Sequence, residues 1–335
     1  MSVPATIAGP NNDYVPLPWR VADQREVARE IEAIRGLARR TNAVLLAHNY
    51  QLPEVQDAAD FVGDSLGLSL EARGTSADTI VFCGVHFMAE SAKVLNPDKT
   101  VLLPNLSAGC ALADSITPES LLEWKGRYPD HTVVTYINSS AEVKALSDIC
   151  CTSANAVSVV RSLASDRILF TPDRNLGAWV KRQVPEKEIA VYDGVCPTHD
   201  VLRGATVNLV KGEHPDAVVI AHPECREDVL ALADDICSTS GMIAAVERHP
   251  RATTFIIATE WSLLHQLRRR FPDREFVQAD GCIGCRLHCP YMKMIDLAAV
   301  RRALQERVFE ISVDPDDAAG ARRALERMMA VPRDH

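Results

Sequence analysis

NAVLLAHNY (42–50) is a continuous apolar run that closes on His48, Asn49 and Tyr50. A run of this length, bounded by polar residues, reads as a buried strand with functional side chains at its carboxyl end. Two later stretches have the same form. TVVTYIN (132–138) closes on Tyr136 and Asn138, and AVVIAHPE (217–224) closes on His222 and Glu224. Each run is followed by helical segments, a polar loop that opens a helix, further apolar strands and then a cysteine: Cys110, Cys196 and Cys289.

Working outward from these runs, residues 1–20 are proline-rich without periodicity and read as an arm. A helix is predicted from about Ala22 to Arg40, with Val27, Ile31, Ile34 and Leu37 on one face, and 55–73 reads as helical throughout. The alternation of strands and helices argues for parallel sheets covered on both faces. The expected fold is α/β: three pseudo-threefold-related, three-layer αβα sandwiches of roughly 85 residues each, within the range of small domains. Their boundaries are 21–112, 113–197 and 198–295, with a last helix at 315–330 packing back on the body of the first unit. One continuous doubly wound sheet would satisfy the same element string. In open α/β units ligands gather at the carboxyl ends of strands, where the suspicious residues sit.

Composition bounds the rest. With 335 residues, 47% hydrophobic and 24% charged, the chain is that of an ordinary globular protein. A net charge of −9 argues against nucleic acid or an anionic membrane as partner, and no apolar run reaches the length of a membrane span. The N-terminus lacks a basic start and an apolar signal core, which predicts a cytoplasmic protein. There, ten cysteines point to metal binding, catalysis or plain burial rather than disulfides. Burial is the reading for Cys83, Cys150, Cys151, Cys225 and Cys237.

GCIGCRLHCPYMK (281–293) holds Cys282, Cys285 and Cys289. One reading joins Cys289 with Cys110 and Cys196 at an iron–sulfur cluster. With only three protein thiolates one iron stays open and can act as a Lewis acid. The other keeps a metal, zinc for example, within the local triad with His288 as fourth ligand. Glu224 is a candidate acid and base, while His48, His222, Tyr50 and Tyr136 are candidates for carboxylate binding or proton relay. Ser65 in GDSL, Ser153 in CTSAN, and Ser238 with Thr239 in CSTSGM open helices, where amides and the helix dipole favour anions. No dinucleotide or nucleotide-triphosphate loop motif is present.

HNYQLPEVQDAADFVGDSL, GVHFMAESAKVLNPDKTVLLPNLSAGCALAD, VVTYINSSAEVKALSD, CTSANAV, HPEC, STSGM and IIATEWSLLH together closely resemble quinolinate synthase, from about residue 40 to 295. The resemblance implies an enzyme of de novo NAD biosynthesis that condenses iminoaspartate with dihydroxyacetone phosphate. It implies a 4Fe–4S cluster with one open iron, held by Cys110, Cys196 and Cys289. It further implies substrate-site roles for His48, Tyr50, Ser65, Tyr136, Asn138, Ser153, His199, His222, Glu224, Ser238 and Thr239. Catalytic roles are expected for Glu224, Tyr136, Tyr50 and His199, and a functional link to an iminoaspartate-producing enzyme. The chain departs from the family at Asn49, where an aromatic is usual, and at Cys237 and Ala258, where glycine is common. Cys282 and Cys285 occur in only part of the family and suit either a redox pair or a structural one. The competing class is a redox-sensing iron–sulfur or zinc-binding module without catalysis.

Overall fold

The computed structural model describes residues 23–279 and 287–334. The expected arm, Cys282 and Cys285 lie outside them. The chain opens on α1 (Gln24–Arg40), whose first turn is capped by the Asp23 carboxylate. The first round then runs β1 (Ala43–His48), α2 (Pro53–Ala58), β2 (Phe61–Gly63), α3 (Ser65–Gly74), β3 (Thr79–Cys83), α4 (His86–Leu95) and β4 (Thr100–Leu102). The second is α5 (Pro118–Arg127), β5 (Thr132–Tyr136), α6 (Ala141–Ala145), β6 (Ile149–Cys151), α7 (Ala156–Ser162), β7 (Arg167–Thr171), α8 (Arg174–Gln183) and β8 (Glu188–Val191). The third is α9 (Pro197–Asp200), α10 (Gly204–Glu213), β9 (Val218–Ala221), α11 (Glu227–Leu230), β10 (Asp235–Ile236), α12 (Thr239–Arg248), β11 (Thr254–Ala258), α13 (Leu263–Arg270) and β12 (Glu275–Gln278). Helices α14 (Leu297–Glu306) and α15 (Pro315–Met329) follow.

Among the described residues these strands form three separate four-stranded sheets, ordered β2-β1-β3-β4, β6-β5-β7-β8 and β10-β9-β11-β12. Every pairing within them is parallel. The single continuous sheet is thereby excluded. The expectation that 55–73 is helical throughout fails at β2, and β6 and β10 likewise stand where only helical segments are expected after the first strand of each unit. These edge strands are two or three residues long, too short to carry a period of their own.

An aspartate holds each edge strand in place. Asp60, Asp148 and Asp234 accept from the backbone N–H of Leu45, Val133 and Val219, each at 2.8 Å. Their own N–H groups return to the carbonyls of the same three residues. A second repeated device precedes the last strand of each sheet, at Pro97-Asp98-Lys99, Pro185-Glu186-Lys187 and Pro272-Asp273-Arg274. Each cation donates to two carbonyls of the turn before the third strand of its unit: Thr75 and Ala77, Leu163 and Ser165, Ala252 and Pro250. Buried carbonyls without such partners would cost free energy, so these cations fix the turn geometry.

The central strands are buried on both faces, with Ile80, Val134, Phe170, Ile220 and Phe255 inaccessible to solvent. Each such side chain contributes about 1.5–3 kcal/mol of burial energy. Helix α15 presents Gly320, Ala321, Ala324, Leu325 and Met328 as one buried stripe and lies against α6, β6 and α4. It therefore ties the second sheet to the first. Among the described residues no helix is long and apolar enough to cross a membrane.

At the α15–α6 crossing a Cβ on Gly320 would stand 2.8 Å from the Ala145 backbone. Gly320→Val should therefore lower stability by about 1–3 kcal/mol through overpacking. Gly126→Ala, at an exposed helical site with nothing near its Cβ position, should be neutral or stabilising by up to about 1 kcal/mol. Urea denaturation of the two variants checks both signs.

Candidate active site

The three sheets direct the carboxyl ends of their strands into one cavity. The repeat sorts its lining. The last position of β1 and its equivalents hold His48, Tyr136 and His222, and the next residue but one in each case is Tyr50, Asn138 or Glu224; all six line the cavity. The loop after each edge strand contributes Ser65, Ser153 and Thr239, and these also line it. So do His199, Cys110, Cys196 and Cys289.

Ser238 is the one expected site residue that does not line this cavity. It is the N-cap of α12, accepting from Gly241 N–H at 3.2 Å, and its hydroxyl meets Asp64. Asp64 and Thr152 hold the matching places ahead of Ser65 and Ser153. Asp64 caps α3 and also lines the cavity, whereas Thr152 accepts from Ala154 N–H at 3.2 Å in the loop before α7.

Glu224 is 3% exposed, and burial alone would raise its carboxyl pKa. His199 and His222 outweigh that and hold it well below the usual carboxylate range. Oε2 lies 2.7 Å from His199 Nδ1 and 3.4 Å from His222 Nδ1, while Oε1 has no hydrogen-bond partner among the described residues. His222 Nε2 continues to Ser153 Oγ at 3.2 Å. On the other side of His199, Nε2 lies 2.8 Å from Thr259 Oγ1, which is itself bonded to the Tyr50 hydroxyl. Since an ionised Glu224 only accepts, His199 donates to it through Nδ1–H. With His199 Nε2 as the acceptor, the donor sequence runs Tyr50 O–H to Thr259, Thr259 O–H to His199, and His199 N–H to Glu224.

Burial, then the charge of Glu224, pushes both the Tyr50 and Tyr136 phenols well above their ordinary value, so both remain protonated. Burial lowers His48 to about 4. This neutral ring accepts from Tyr50 N–H through Nδ1 at 3.1 Å, which leaves Nε2–H as its donor.

Burial pushes the Cys110 thiol up to about 12, and it raises Cys196 and Cys289 as well. Charge on any one of the three opposes charge on its neighbours. Two acids at equivalent strand ends fix the cysteine loops: Asp173 accepts from Cys196 N–H at 3.2 Å, and Glu260 from Cys289 N–H at 3.4 Å. Glu260 pairs at 2.8 Å with Lys293, which also donates to the Tyr50 carbonyl and the Ser262 hydroxyl. Cys196, His199 and Glu224 place one ligand atom each within 4.8 Å of one another. Cys83, Cys150, Cys151, Cys225 and Cys237 are free, buried thiols away from the cavity lining.

Thr259, Asp173, Glu260 and Lys293 escaped the reading of the sequence. Asp173 and Glu260 were within reach, because aligning TPD with ATE across the repeat puts one acid under the other. Thr259 was not: Gly84 and Pro172 occupy its equivalent places, so no pattern marks it. Lys293→Met would leave Glu260 as an unpaired charge with no solvent exposure, and should cost about 3–5 kcal/mol. Adding Glu260→Gln should recover part of that loss, as measured by chemical denaturation.

The family model described as Quinolinate synthetase A protein matches residues 32–330. A quinolinate synthase of Geobacter metallireducens is 54% identical over 303 residues, covering 90% of this chain and 98% of the relative. Those of Methanosarcina barkeri and Thermodesulfovibrio yellowstonii are 49% and 48% identical, each with 91% of this chain and 98% or 99% of the relative covered. Strand-end residues gathered in one cavity, together with similarity along almost the whole length, lead to one assignment: the chain belongs to the quinolinate synthase family of enzymes, which serves NAD biosynthesis.

Proposed function

We infer that the enzyme condenses iminoaspartate with dihydroxyacetone phosphate, forming quinolinate and releasing phosphate and two waters. The observation that carries this reading is Glu224 Oε1, a buried carboxylate oxygen without a hydrogen-bond partner among the described residues, in a cavity also lined by hydroxyls, histidines, three thiols and the Arg333-paired Asp64. Such a cavity suits a substrate pair whose ends are anionic and whose middle must gain and lose protons.

Three thiols converge on the cavity without forming a disulfide. Burial opposes ionisation of Cys110, while the Ala113 N–H points at its sulfur at 3.5 Å. A soft metal group among them would reverse both the burial and the mutual-charge penalties, so the donor set fits a 4Fe–4S cluster. Cys110, Cys196 and Cys289 would hold it. When bound, such a group supplies a Lewis acid at the iron that carries no protein thiolate.

The chain's own residues do the rest. Ser65, Ser153 and Thr239, at loop ends rich in backbone N–H, take the phosphate and carboxylate groups, with His48 Nε2–H and Asn138 as further donors. The Tyr50–Thr259–His199 sequence passes a proton towards Glu224, whose free oxygen faces the reactants. Tyr136, a neutral phenol beside Glu224, donates to developing negative charge. Deep burial keeps bulk water from the imine. Because imines hydrolyse in water, an iminoaspartate-producing enzyme in the same compartment is the expected supplier, and the cytoplasm is the expected place.

One observation favours a second reading. The Cys196, His199 and Glu224 atoms are close enough to hold a single ion such as zinc. Anaerobic iron and sulfide analysis separates the two, since zinc without visible absorption would support the single ion.

Glu224→Gln should lower quinolinate formation by about 10²–10⁴-fold while iron, sulfide and visible absorption stay at the level of the unmodified protein. Thr259→Val should cost about tenfold to a hundredfold, from one unpaired buried hydrogen-bonding group, and Thr259→Ser should retain most activity. Cys110→Ser or Cys289→Ser should instead lose iron and colour together with turnover. An anaerobic quinolinate assay run beside metal analysis reads all of these.

A further inference from the structure

The residues that precede Ser65, Ser153 and Thr239 differ in charge. Thr152 and Ser238 are neutral hydroxyls, whereas Asp64 is a carboxylate on the cavity wall, next to the substrate-facing Ser65. A fixed negative charge there opposes the approach of any anionic ligand. The neutral contacts of Asp64 are Gly67 N–H at 2.8 Å and the Ser238 hydroxyl at 3.2 Å, neither of which cancels charge.

The cation comes from outside the repeat. Arg333, in the segment that follows α15, grips Asp64 with both guanidinium arms, Nη1 to Oδ2 at 2.5 Å and Nη2 to Oδ1 at 3.0 Å. Its placement is secured on the second unit beside Ser153. Asp334 accepts from Ser158 and Val157 N–H at 2.8 and 3.1 Å, and its own N–H donates to the Ala154 carbonyl. Asn155 Nδ2 meets the carbonyls of Met328 and Val331.

We propose that Arg333 is a positioning residue that completes the anion subsite at Ser65 and Thr239 by neutralising Asp64, so that the segment after α15 is part of the substrate site. This rests on the reading of that cavity as one for anionic substrates. Asp64 serves as the helix cap that also aligns Ser65 and Ser238, and the guanidinium removes the electrostatic penalty of using an acid there. A planar fork matches the carboxylate better than an ammonium would, but the charge is what the subsite needs.

The test measures inorganic phosphate binding to the holoenzyme by calorimetry, so that its result does not depend on turnover; an anaerobic quinolinate assay on the unmodified enzyme judges the reaction separately. Arg333→Gln should weaken phosphate binding about tenfold or more at low salt, with a smaller loss at high salt. Arg333→Lys, which keeps the charge, should lose less than threefold. Adding Asp64→Asn to Arg333→Gln should restore affinity, because the uncancelled charge is gone. A purely structural clasp would not be rescued in this way. Unchanged affinity in Arg333→Gln, no recovery in the double variant, or no phosphate binding by the unmodified enzyme overturns the proposal.

Discussion

The carboxylate of Glu224 sets the terms for the rest of the site. A charge so deeply buried is tolerated only where donors or cations meet it. At Glu224 these are two imidazoles, each held by another group: His199 by Thr259, and His222 by Ser153. Tyr50 extends the chain to the first sheet and Ser153 to the second. One buried charge thus binds the strand ends of three separate sheets, and the cavity lies where those sheets must agree.

Parallel sheets make that agreement possible. Every strand in a sheet ends on the same side, so three such sheets facing one another present all their loops to a common volume. The Asp60, Asp148 and Asp234 anchors keep each edge strand in register, which in turn places Ser65, Ser153 and Thr239 on the wall. Asp173 and Glu260 act alike on the cysteine loops, from matching places in two units. The first unit has Val85 at that place and uses other means. Repetition supplies the frame, and departures from repetition supply the chemistry.

Asn49 illustrates how a single side chain joins two units. Its side chain, buried in the first unit, donates to the Thr239 hydroxyl of the third at 2.8 Å. Asn49 therefore joins two units and leaves the Thr239 proton to point elsewhere. The partner lies 190 residues away in sequence, and no local pattern encodes such a contact.

The sequence by itself determined the alternation of strands and helices, the threefold repetition and the polar residues at strand ends. Each of these is written in local periodicity or in motif order, which need no knowledge of neighbours. It did not contain the edge strands β2, β6 and β10 in legible form, since pairs or triplets of residues become strands only when an adjacent strand offers its backbone. It could not separate Ser238 from Thr239, because the cap and the cavity-facing residue differ only in the direction of a side chain. Thr259, Lys293 and Arg333 acquired their parts from folding alone. Their partners are the Tyr50 phenol, a buried Glu260 and a buried Asp64. Which distant acid or hydroxyl a side chain meets is decided by how sheets and helices pack, and that is a property of three dimensions.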